Sequence, residues 1–181
     1  MTHANIPSRR PRGAFPWIEV LTVAVILFTL FCILVPAFVK SDGALPRITC
    51  RSNLRQIAQA IQMYADDYDR KLPPAAKWCD SAYPYLKTNS VFACPIRSGS
   101  YGYAFNALLD RRSLNTITCP ATTPAAFDTS LDKRNAADSL RSFVTPHRKR
   151  QGTFGYVAFL NGEVRECITP PAVDALRSNT H

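Results

Sequence analysis

The residues able to do covalent or metal chemistry are few and far apart. There are six cysteines, Cys32, Cys50, Cys79, Cys94, Cys119 and Cys167, and three histidines. A nucleophilic thiol needs a base within hydrogen-bond reach. The histidine to weigh for that role is His147, which opens the basic run His147-Arg148-Lys149-Arg150 just after Pro146. Such a run reads as a solvated loop. No Cys-x-x-Cys pair or Cys/His cluster has zinc spacing, and P-loop, Rossmann, zincin and Gly-x-Ser-x-Gly motifs are absent from the sequence. Asp66, Asp67 and Asp69 lack the glycine and distal glutamate of an EF-hand loop, and read as solvated acids beside Arg70 and Lys71. The expectation is a non-enzymatic chain without catalytic residues, cofactor or metal. The formal net charge is +9, but much of it sits in short pieces, with no RNA-binding signature, so nucleic acid is not an expected partner.

The element that must position these residues is an apolar run. From Val20 to Val39 the chain carries no charge, which at about 1.5 Å per residue spans a hydrocarbon core of roughly 30 Å. Glu19 lies just inside its start, where a helix N-terminus favours negative charge. Ahead of it Met1 to Ala14 hold Arg9, Arg10 and Arg12 and no acid. That asymmetry predicts a cytoplasmic N-terminus and an exported C-terminal bulk. Residues 1–14 thus read as a basic leader, 15–39 as a transmembrane helix and 40–48 as a break, where Gly43 and Pro46 interrupt the helix. Residues 49–181 read as one small domain.

Arg9 to Gly13-Ala14-Phe15-Pro16-Trp17-Ile18-Glu19 and the apolar helix behind them resemble the leader of type IV pilins and type II secretion pseudopilins. The resemblance implies cleavage by prepilin peptidase at Gly13-Ala14-Phe15, with Phe15 as the new, methylated N-terminus. Ala14 stands where the family has glycine. It also implies that Glu19 meets the freed amine of a neighbouring subunit, and that Pro36 is the helix-loosening proline. A second resemblance, to a family of bacterial pilin-like proteins, is carried by Cys50-Arg51-Ser52-Asn53-Leu54-Arg55-Gln56, Tyr64-Ala65-Asp66-Asp67-Tyr68-Asp69 and Val91-Phe92-Ala93-Cys94-Pro95. It returns in His147 and Phe159-Leu160-Asn161-Gly162, with Asn161 where that family has aspartate.

Within the domain, Leu54, Ile57, Ile61, Tyr64 and Tyr68 advance by three and four residues, predicting an amphipathic helix from Thr49 to Asp69 packed on a sheet. A short helix is expected near Ser81 to Leu86 and strands at Tyr101 to Asn106 and Ala125 to Asp128. Residues 129 to 142 read as a surface loop or short helix, and Ala172 to Arg177 as a further short helix. Asn161-Gly162 between two apolar runs predicts a two-residue hairpin that sets Phe159 opposite Val164 and Tyr156 opposite Cys167. Outside the membrane run, five cysteines would face an oxidising compartment, so at least one is unpaired or pairs between chains. Cys79 with Cys94 is the preferred disulfide, closing a loop worth on the order of 3 kcal/mol; Cys119 with Cys167 is the second expected pair.

The expected fold is therefore α+β and pilin-like, a broken N-terminal helix on a small antiparallel sheet. The expected function is a pilin-like or pseudopilin subunit, a single-pass protein of the bacterial inner membrane. Its expected partners are prepilin peptidase, other pilin-like subunits and the membrane itself. Two alternatives stay open: an anchored extracytoplasmic binding domain that never polymerises, and a domain released by cleavage near Val35-Pro36-Ala37.

Overall fold

The computed structural model describes residues 17–39, 45–97, 101–149 and 151–171. The leader positions Gly13, Ala14 and Phe15, and the expected helix at Ala172 to Arg177, lie outside the described residues. The chain divides into two units, Met1–Asp42 and Gly43–His181. The first contains α1 (Trp17–Val39), whose backbone stays helical through Pro36. Its window Trp17–Leu34 has a mean hydropathy of 2.5 and none of it is buried. Two hydroxyls turn back onto the helix, Thr22 Oγ1 donating to the Glu19 carbonyl and Thr29 Oγ1 to that of Ile26. Polar groups in lipid must be satisfied internally in this way. This helix is long and apolar enough for a single membrane span, and equally for a signal sequence.

The second unit is α+β. Its first helix, α2 (Leu45–Asp67), begins four residues before the expected Thr49. Pro46 is the reason: in a first helical turn its missing N–H costs nothing, so it starts the helix instead of breaking it. Residues 45–48 of the expected linker are thus helical. Leu54, Ile57 and Ile61 are buried as the periodicity requires, together with Cys50, Ala58 and Ala65. Tyr68 is exposed, because α2 stops at Asp67. The stop comes from two left-handed residues, Asp69 and Arg70, with the Arg70 N–H returning to the Ala65 carbonyl.

A second helix, α3 (Trp78–Leu86), buries Trp78 against Phe92 and Phe105, and the indole N–H donates to the Ala136 carbonyl at 2.8 Å.

Six strands follow: β1 (Tyr103–Asn106), β2 (Pro124–Asp128), β3 (Ala137–Asp138), β4 (His147–Lys149), β5 (Gly152–Phe159) and β6 (Val164–Cys167). The order is β3-β1-β2-β5-β4, with β6 also on β5. The sheet is mixed rather than antiparallel, since β1 and β3 run parallel. Two core clusters lie on its faces. Tyr103, Phe105, Ala126, Tyr156 and Ala158 belong with the helices. Ala104, Phe127, Val157 and Phe159 pack instead with Ala136, Leu140 and Phe143. Adjacent residues alternate between the clusters, as side chains on a pleated strand must. The segment expected to be a surface loop thus covers the second face, and for that reason β1 and β2 are buried at every position.

The β5–β6 hairpin corrects the expected register. Ala158 opposes Val164, Tyr156 opposes Glu166 and Gly155 opposes Cys167. The Phe159 N–H donates to the Glu163 carbonyl, and the Gly162 N–H to that of Phe159. The loop is therefore three residues, Leu160-Asn161-Gly162, with only Gly162 left-handed at φ 83°. This is a type I turn closed by a glycine bulge, and the extra residue moves every partner by one.

Gly155 is the tightest approach of the covering segment. A Cβ there would collide with the Val144 carbonyl and the Phe143 ring. Gly155→Ala should lower stability by about 1–3 kcal/mol, read as a drop in the thermal midpoint of the detergent-solubilised chain; an unchanged midpoint would mean that the cover yields freely.

Candidate functional site

Cys50, Cys94 and His147, each the distinctive residue of a separate sequence motif, meet in the core. All three are buried, and their candidate ligand atoms lie within 4.8 Å of one another. Cys50 comes from the second turn of α2, Cys94 from the loop after α3, and His147 from the first position of β4. The Cys50 and Cys94 sulfurs are 2.9 Å apart. The Cys94 loop is held against α2 by Asn53, whose Nδ2 donates to the Ala93 carbonyl at 3.1 Å. Behind it stands Gly102, where any side chain would run into the Cys94 Cβ. The Gly102 N–H donates to the Phe92 carbonyl.

His147 is wholly buried, in contrast to the expected solvated loop. Strand alternation explains it: β4 turns His147 inward while Arg148 and Lys149 stay exposed. Its ring stacks on Phe154 and meets the Tyr156 ring edge-on. Nε2 lies 2.9 Å from Asp128 Oδ2, which also accepts the Tyr156 N–H at 2.7 Å. Among the described residues, Nδ1, Tyr103 Oη and Asp128 Oδ1 have no hydrogen-bond partner. With Nε2–H given to the carboxylate, Nδ1 carries the lone pair.

Burial raises the Asp128 carboxyl from its ordinary range, while the His147 bond and the Tyr156 N–H pull it back. The two thiols differ. The hydrogen bond from Cys50 holds Cys94 down to about 7, and the same bond raises Cys50.

The set is a histidine oriented by a buried carboxylate beside two thiols, the ligand types of a zinc or copper(I) site. The separation of the sulfurs argues against a metal: zinc at about 2.3 Å from each would hold them roughly 3.7 Å apart.

Neither expected disulfide is present in the structure. All six cysteines are unbridged, and Cys94 meets Cys50 rather than Cys79. Cys79 lies at the start of α3, its N–H bonded to Asn135 Oδ1, and burial pushes its thiol up to about 12. Cys119 is exposed in a tight turn and Cys167 is half-buried at the end of β6. Of the acid cluster, Asp66 pairs with Arg70 and Asp67 accepts from Tyr85 Oη. Sequence reasoning missed Cys50, Asp128 and Tyr103 as site residues. The only available signal was the recurrence of Cys50, Cys94 and His147 in separate motifs. No protein-family model, curated protein or solved structure matches the chain.

The Asp128–His147 pair makes a pH prediction. In His147→Phe the carboxyl loses the partner that lowers it and desolvation dominates. A folded-state value raised above the ordinary 3.8 means that the native state holds a proton the unfolded chain has released. That stability is fully present only below the unfolded value of 3.8, falls as pH rises above it and is lost as the raised folded value is passed. The variant should be more stable at pH 4 than at pH 7 by urea denaturation, and His147→Phe with Asp128→Asn should abolish the difference; the reverse slope would show Asp128 ionised without its partner.

Proposed function

We propose that this chain is a non-enzymatic pilin-like or pseudopilin subunit of a type IV pilus-like or type II secretion assembly. In this reading α1 stores it in the bacterial inner membrane with the C-terminal unit exported. The observation that carries the reading is the surface of α1: twenty-three helical residues with one carboxylate, Glu19, in the first turn. Its exposed side chains include Leu27, Phe28, Phe31 and Ile33. Such a surface needs lipid or other apolar helices around it. In a filament the neighbours would be other subunits, and Glu19 would neutralise the amine of Phe15 released by prepilin peptidase. Burial of either charge alone is costly, so the pairing fixes the register of assembly. The arginines at positions 9, 10 and 12 support a cytoplasmic N-terminus.

A second reading, an anchored extracytoplasmic binding domain that does not polymerise, is favoured by one observation. Ala14 stands before the expected cut, where the resembled family has glycine.

Two measurements separate them. Intact mass and N-terminal sequencing of the membrane-extracted protein should give a chain starting at Phe15 with a methylated amine; a start at Met1 or Thr2 moves the reading to the anchored domain, and a start near Phe38 to a secreted one. Glu19→Ala should reduce the sheared filament fraction by roughly tenfold or more while the membrane-inserted pool stays constant. Equal filament yield would remove the proposed role of Glu19.

A further inference from the structure

We propose that Cys50 and Cys94 are joined by a disulfide in the exported protein, a bond that ties the start of α2 to the loop after α3. The inference rests on the exported placement of this unit, because such bonds persist only in an oxidising compartment. Three observations carry it. The sulfurs stand 2.9 Å apart across a sequence separation of 44 residues, closer than two unbonded thiols sit comfortably. Both side chains are buried, so nothing from solvent separates them. There is also no slack behind Cys94, because the Gly102 backbone lies against its Cβ and the Asn53–Ala93 bond pins the loop to α2. A metal ion would need the pair to open, whereas a bond of about 2.05 Å needs it to close.

The step balances with a disulfide donor, the class of oxidant that exported thiols meet. The Cys94 thiolate attacks the donor's S–S bond and releases one donor thiolate. The Cys50 thiolate then attacks the Cys94 sulfur of the mixed disulfide and releases the second. In sum, two protein thiols become one S–S bond, two electrons pass to the donor, and the two protons end on its thiols. The order is symmetric: attack by the Cys50 thiolate first gives the same bond and the same balance. Burial places the exchange in folding, before α2 closes over the loop.

The test uses the full chain twice. Protein taken from membranes is quenched in acid, alkylated under denaturing conditions and digested without reduction. Separately, protein reduced in urea is returned to buffer with oxidised glutathione and treated in the same way. The expected result in both is one peptide containing Cys50 linked to one containing Cys94, with Cys79 alkylated. Cys50→Ser, Cys94→Ser and the double variant should lower the thermal midpoint equally, by roughly 10–20 °C. A link formed with glutathione but absent from the membrane sample would support the pairing and overturn the exported placement. No link in either sample would overturn the proposal, as would a Cys79–Cys94 link. One equivalent of zinc per chain with both thiols free would also overturn it and make the cluster a metal site.

Discussion

One carboxylate holds the second unit together. Asp128 ends β2, and its Oδ2 receives both the Tyr156 N–H of β5 and the Nε2 of His147 from β4. Its backbone takes part as well, accepting from the Val144 N–H as the covering segment returns. Three stretches of chain thus converge on one residue of β2 that is 1% exposed. Burying a carboxyl group is costly, and the two hydrogen bonds on Oδ2 offset part of that cost although Oδ1 has no partner among the described residues. Those bonds set the position of each partner. His147 must face inward, which fixes the alternation of β4, and that places Arg148 and Lys149 in solvent.

The consequences run outward from there. Lys149 reaches Glu166 on β6 and lies over the Phe154 ring, so the outer face of β4 is tied to the same strands. The Arg148 carbonyl accepts from Arg47 at the start of α2. Exposed ion pairs of this kind contribute little individually. Their effect is positional, because they brace the edge strand whose inner residue meets the sulfurs.

Local patterns were readable in the sequence and convergence was not. The helical stripe of Leu54, Ile57 and Ile61 and the hairpin at Asn161-Gly162 are written in adjacent residues, and both are present. Their details depended on context. Pro46 could break a helix or begin one, and only the residues around it decided. Asn-Gly suits a two-residue turn, yet Asn161 keeps a negative φ because its side chain accepts the Glu163 N–H, leaving Gly162 to form the bulge. The strands β3 and β4 are too short to carry a period. The Cys50–Cys94–Asp128–His147 cluster draws on four elements, and no spacing rule for contiguous ligands reaches across such intervals. Pairing Cys94 with Cys79 follows loop length, whereas the fold pairs by the face that each element presents: α3 sends Cys79 toward Asn135.

The same contrast separates the two units. The second buries its own apolar surface on both faces of the sheet and leaves few large apolar residues outside, among them Ile48, Met63 and Ile168. The first leaves its apolar side chains exposed from Trp17 to Leu34. At about 25 cal/mol per Å² of apolar area, such a surface cannot be left in water without a large cost. The second unit's two core clusters are built from its own residues. Asp128 sits among the strands between those clusters, so changes there should act on the folding of the second unit as a whole.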